Sequence, residues 1–183
     1  VSNAPTTVGV YEYWVVFDSG AVILANDVYI VAHPSADSII LAQADMTYSV
    51  LSNGNDGFAL VYGVQPYSPV SENVTNEYVI LDRLGDFNAN PGAGWEVAGV
   101  IDATQNYTLV RDCAIEWGST DWDLSAGTNP ENSEWSVFYQ NDWSSLNDHC
   151  GSSGLYGCDD MNACNYLLNS NGAEACTYPT EGF

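Results

Sequence analysis

Leu51-Ser-Asn-Gly-Asn-Asp-Gly-Phe-Ala-Leu-Val-Tyr-Gly63 joins a turn of glycine, asparagine and aspartate directly to a short apolar run. Asn53-Gly54 and Asp56-Gly57 accept positive φ at low cost, so they bend the backbone where a β-branched residue resists. The run that follows is short, apolar and unbroken, which fits a strand. Strand geometry then predicts Phe58, Leu60 and Tyr62 on one face and Ala59 and Val61 on the other. The loop 53–57 is expected to shape the approach to this strand and to bind nothing.

Working back from that stretch, more strand signals appear. Val10-Tyr-Glu-Tyr-Trp-Val-Val-Phe17 is rich in strand formers, and Ala21–Ala25 and Asp27–Ala32 are short apolar runs parted by the turn signal Asn26-Asp27. Ala36, Ile39, Ile40 and Ala44 fall at helical spacing, predicting one short helix capped by Ser35 with Asp37 in its first turn. Residues 1–8 read as a connecting segment. Working forward, Gly63 to Asn76 reads as an exposed loop, Tyr78–Leu84 as a strand, Asn90-Pro91-Gly92 as a turn, Trp95–Val97 as half-buried, and Tyr107–Arg111 as another strand. Many short strands, one brief helix and dense turns describe an all-β chain folded as a β-sandwich, with no βαβ alternation.

The charge narrows the partners. The 183 residues hold 24 acids against Arg83 and Arg111 and no lysine, a formal charge of -22. Such a surface repels phosphates and anionic head groups, so nucleic acid and membrane surfaces are not expected partners. Two readings of the acidity stay open, solubility in a salty medium and attraction of divalent cations. No apolar run is long enough to insert into a membrane. With 46% apolar and 13% aromatic residues the chain has material for a real core.

All five cysteines, Cys113, Cys150, Cys158, Cys164 and Cys176, lie after residue 112, among turn residues. That crowding suggests a disulfide-stapled tail and a secreted history. Zinc is the competing reading, against which stand the absence of a Cys-x-x-Cys knuckle and the distance of any histidine other than His149.

Several groups are of residue types that carry chemistry. Asp159, Asp160, Asn162 and Asn165 offer closely spaced hard oxygens, the ligand type of calcium, though outside EF-hand order. No other cofactor is expected. Asp18, Asp27, Asp82, Asp86, Asp121 and Asp123 contain no pair whose spacing singles it out for glycoside hydrolysis, and Asp121-Trp122-Asp123 reads as a capped turn. His33 and His149 have no visible triad partner, so no catalytic residue is assigned and the chain is not expected to be an enzyme. Arg83 and Arg111 are expected to be satisfied by fixed carboxylates or carbonyls, with an anion clamp as the alternative. The tryptophans are expected to pack, with ligand stacking as the sharper role. Asn73-Val-Thr75 fits the glycosylation acceptor pattern in a loop, and Asn106-Tyr-Thr108 fits it less well at a strand start.

Taken in order, Asp27-Val-Tyr-Ile-Val-Ala32, Ser35-Ala-Asp37, Ile40-Leu-Ala-Gln-Ala-Asp45, the stretch 51–62, Gly94-Trp-Glu-Val-Ala-Gly99, Tyr107-Thr-Leu-Val-Arg111, Gly118-Ser-Thr-Asp-Trp122, Ser125-Ala-Gly-Thr128 and Asn132-Ser-Glu-Trp135 resemble the lamin-tail-like domains of secreted proteins of Bacteroidetes and related marine bacteria. The resemblance spans about residues 9–149 and implies an immunoglobulin-like β-sandwich over 9–150. It also implies opening strands that this sequence does not show. Either the chain begins inside such a domain, or another segment supplies the strand through a sheet edge.

Gly157-Cys-Asp-Asp-Met-Asn-Ala-Cys-Asn-Tyr166 and Ala175-Cys-Thr-Tyr-Pro179 resemble the short cysteine repeat of large exported marine bacterial proteins, here incomplete over 151–183 and with Asn171-Gly-Ala-Glu-Ala175 in place of its acidic turn. That repeat implies Cys158 paired with Cys176, and then Cys113 with Cys150, leaving Cys164 free or joined to another chain. Asp37-Ser38-Ile39 resembles the O-glycosylation motif of exported Bacteroidetes proteins, making Ser38 a modification candidate. The resemblances together imply a non-catalytic structural or adhesive module of a large extracellular or cell-surface bacterial protein, such as part of a filament or multi-protein assembly, whose partners are other chains or domains. The alternative is an accessory domain of a secreted hydrolase, such as a nuclease or phosphatase, with its catalysis elsewhere.

Overall fold

The computed structural model describes residues 1–3, 10–24, 27–51, 53–64, 70–71, 78–149 and 176–178. Contacts divide the chain into two units, one of residues 1–19 and 48–143, the other of residues 20–47 and 144–183. The described residues form short strands in two-stranded sheets with three short helices, a β-rich chain.

In the first unit, β1 (Val10–Tyr11) pairs antiparallel with β5 (Val70–Ser71), β4 (Phe58–Gly63) with β6 (Tyr78–Leu84), and β7 (Tyr107–Arg111) with β8 (Trp135–Tyr139). The decisive stretch thus becomes β4, and Tyr78–Leu84 and Tyr107–Arg111 become strands over the predicted ranges. Its two predicted faces alternate in exposure along 59–62: Leu60 and Tyr62 are exposed and Ala59 and Val61 half-buried, with Phe58 half-buried as well. The register slips between Leu60 and Val61, because Leu60 faces Asp82 and Val61 faces Ile80, leaving Leu81 as an extra residue on β6.

The run 10–17 gives only a two-residue strand, and 21–24 gives none. Strand formers alone do not make a strand, since the ladder needs a partner to satisfy its backbone groups. What holds the start of this unit is a pair of reciprocal bonds between Ser2 and Gly57, each 2.9 Å, and an aromatic group of Tyr11, Trp14, Tyr78 and Phe87.

The core proper lies elsewhere in the unit. Trp95, Val97, Ala98, Ala103, Trp122 and Ala126 are buried together, with Leu84, Leu109, Trp135 and Val137 packed against them. Two helices feed this cluster, α2 (Ala103–Asn106) and α3 (Trp122–Ala126). Neither is predicted by periodicity, because four or five residues are too few to show it. The α3 helix does carry end signals, since Asp121 accepts from Leu124 N at 3.0 Å and Gly127 closes the other end.

The loop 53–57 is locked onto this core. Thr104 Oγ1 donates to Gly54 O and accepts from Trp95 N at 2.7 Å, and Trp95 Nε1 donates to Asp56 O at 3.2 Å. Gly54 has φ +121°, and a Cβ there would run into the backbone of Gln105. Gly54→Ala is therefore expected to lower stability by about 1–3 kcal/mol from backbone strain alone. A urea midpoint unchanged from the parent would overturn that reading.

In the second unit, β2 (Val31–Ala32) lies parallel to β3 (Met46–Thr47), and α1 (Ser38–Leu41) lies between them in sequence. Among the described residues this small parallel pair departs from the expected lack of βαβ order, and two-residue strands leave no sequence pattern to read. The cap of α1 is Asp37, not Ser35: the Asp37 carboxylate accepts from Ile39 N at 3.0 Å, while Ser35 N donates to His33 Nδ1 at 3.0 Å within the preceding turn. A carboxylate at the N-cap also meets the positive helix end, which a hydroxyl does not.

Candidate functional site

The densest polar cluster is built from β6, β7, β8 and α3. Cross-strand register sets Arg111 opposite Trp135, and the guanidinium lies over the indole at 4.4 Å. From there Arg111 reaches β6. Its Nη1 and Nη2 donate to Asp82 Oδ2 and Oδ1 at 2.6 and 2.9 Å, the bidentate geometry that a planar fork favours. Nη2 also donates to Ser125 Oγ at 3.3 Å, and Nε lies 3.4 Å from Glu134 Oε2.

The remaining partners close the cluster. Ser125, fully buried on α3, donates from Oγ to Glu134 Oε2 at 2.7 Å and accepts from Trp135 Nε1 at 2.9 Å. Asp82 Oδ1 also accepts from Ser119 N and Arg83 N. The single guanidinium is thus shared between two carboxylates, a hydroxyl and an aromatic face, and its bidentate fork is taken up by Asp82. This matches the expectation that Arg111 is satisfied by fixed carboxylates. The sequence did not reveal which ones, because Asp82 stands 29 residues away in sequence. Arg83 has its guanidinium 5.6 Å from the centre of the Phe87 ring.

Three of the other candidate carboxylates serve local structure. Asp121 caps α3, Asp27 accepts from Val28 N, and Asp86 accepts from Asn88 N and Nδ2. Asp82 is committed to Arg111. The reading of Asp121-Trp122-Asp123 as a capped turn around a packed tryptophan holds, with Trp122 buried between Trp95 and Trp135 at ring distances of 6.3 and 6.5 Å. Trp117 is different, at 81% exposure.

A cleft of about 290 Å³ opens beside the locked loop, lined by Leu51, Phe58, Leu84 and Leu109 together with Gly54, Asp56, Thr104 and Tyr107. The Thr104 hydroxyl is already engaged on both sides by Gly54 and Trp95. What is left for a ligand here is mostly apolar surface.

The calcium candidates Asp159, Asp160, Asn162 and Asn165 lie outside the described residues, as do Asn73, Cys150, Cys158 and Cys164. Cys113 and Cys176 are each in disulfide form, and the pairings implied for them rest on cysteines outside the described set. Ser38 is exposed at the first position of α1. Among the described residues no three of His, Cys, Asp or Glu come together as a metal site, and no helix is long and apolar enough to cross a membrane. Comparison with family models, with curated proteins and with solved structures finds no match.

Proposed function

We propose that this chain is a non-catalytic structural or adhesive module of a larger exported protein. The observation that carries the reading is the closed state of the Arg111 cluster, in which the groups most suited to chemistry are bound to one another and hold β6, β7, β8 and α3 together. The surface charge of -22 without lysine, and cysteines in disulfide form, suit an oxidising and saline exterior. The immunoglobulin-like sandwich implied by the sequence fits the same part: a durable body whose sheets present edges and loops to neighbours.

Antibody against this chain, applied to intact and lysed cells that make it, is the test. Labelling of intact cells that external protease removes is the expected result, together with no release of phosphate or nucleotides by the immunopurified native polypeptide. Labelling that requires lysis overturns the exported module. Phosphoesterase activity travelling with the antigen favours the accessory-domain alternative instead.

A further inference from the structure

The inward face of the sheet formed by β7 and β8 runs past the end of the core. Directly opposed residues of an antiparallel pair share a face, and every second residue returns to it. Arg111, Leu109 and Tyr107 therefore lie on the same side as Trp135, Val137 and Tyr139. Leu109, Trp135 and Val137 pack against the buried cluster, and Arg111 covers Trp135. The last pair on that face, Tyr107 and Tyr139, is left 43% and 87% exposed. Both stand at strand ends. Tyr107 follows α2 directly, and β8 is closed by a turn in which Asp142 N donates to Tyr139 O at 3.2 Å, with Asn141 at φ +63°.

The surroundings of this pair are uncharged. Residues 103–110 and 135–141 hold no acid and no base, in a chain with 24 acids. Amides stand there instead: Gln105, Asn106, Gln140 and Asn141 are all exposed, and Gln140 Nε2 donates to Asn106 Oδ1 at 3.4 Å across the strand ends. Each amide can both donate and accept, and that bond uses one of the two N–H donors of Gln140. Tyr107 and Leu109 also line the cleft of about 290 Å³ beside the 53–57 loop, so the exposed tyrosines lead into an apolar recess.

We propose that Tyr107, Tyr139 and the amides around them form a binding shelf for a neutral polysaccharide chain. A pyranose ring carries C–H groups on its faces and hydroxyls around its rim. Exposed aromatic rings take the face, and amides, which donate and accept, take the rim. Charged polymers suit the shelf less well. A polyanion meets Asp56 in the cleft and Asp142 behind the turn, and a polycation has the acids outside the shelf to bind without calling on its tyrosines. The proposal rests on reading the chain as an adhesive module and names the class of partner such a module holds.

Cellohexaose, laminarihexaose and maltohexaose are the probes, added to the full chain and followed by calorimetry and by amide chemical shifts. Saturable binding of at least one, with shifts centred on residues 103–109 and 137–141, is the expected result. Tyr139→Ala should weaken it about tenfold, the effect of losing one stacking ring, and leave the thermal midpoint unchanged because the side chain already stands in water. Tyr139→Phe should keep binding within about twofold of the parent, since the ring face makes the contact. Phe138→Ala, one residue away on the opposite face and 41% exposed in the parent, should leave binding unaltered.

A Kd above about 10 mM for all three sugars, or parental affinity in Tyr139→Ala, overturns the shelf. Equal or tighter binding of hexagalacturonate overturns the neutral ligand. Binding of decaproline in place of the sugars assigns the tyrosines to an extended peptide, and a dimer that Tyr139→Ala disperses assigns them to self-association; both overturn the polysaccharide. None of these results alters the labelling of intact cells, and loss of that labelling leaves the sugar titration standing, so the two readings fail separately.

Discussion

Arg111→Ala is expected to destabilise the first unit by about 3–5 kcal/mol, towards the lower end because Asp82 keeps some contact with water. The variant leaves Asp82 and Glu134 in one desolvated place with no cation, and removes the charge above Trp135. Breaking one member of such a cluster costs more than the cluster contributes, because what stays behind is an uncompensated charge. One control separates this from a simple loss of packing. Arg111→Met combined with Asp82→Leu should recover part of the loss, because the apolar pair leaves fewer unmatched charges. A urea midpoint for Arg111→Ala within error of the parent would show the cluster to be ornamental.

Trp122→Ala is expected to cost about 3–5 kcal/mol, the range for truncating a large buried aromatic. Trp122 is 6% exposed and touches both Trp95 and Trp135, so its removal opens a cavity at the centre of the core and loosens two neighbours at once. Trp117→Ala is the matched control: the same chemical change at an exposed site should stay within about 0.5 kcal/mol. Thermal or urea unfolding of the two variants side by side checks both values, and similar losses would mean that burial is not what distinguishes them.

The strands that could be read from sequence were those whose apolar runs are both long enough and paired: β4, β6 and β7 occupy the stretches expected of them. Val10–Phe17 has equal strand propensity but only two of its residues sit in a ladder, since pairing is a property of the partner as much as of the run. The bulge at Leu81 is invisible in the same way; nothing local in Tyr78–Leu84 announces it. For the polar cluster, Arg111 as a satisfied cation was legible, because a chain with two cations and 24 acids has few other ways to place them. Asp82, Ser125 and Glu134 as its partners were not, because they meet only once β6, α3 and β8 are docked. The α1 cap lies at Asp37, two residues beyond the expected Ser35, whose backbone N–H donates to His33 Nδ1 instead.

The bond from Thr104 to Gly54 spans 50 residues of sequence and that from Trp95 to Asp56 spans 39. Closing loops of that length before any reward is gained is slow, and chains dominated by such contacts fold over milliseconds to seconds rather than microseconds. During that interval the backbone groups of Phe58–Gly63 lack their native neighbours, and the run has no lysine or proline to deter a stray strand. The time a newly made chain takes to close Thr104 onto Gly54 is thus also the time for which other chains can mispair with it, a hazard that grows with protein concentration.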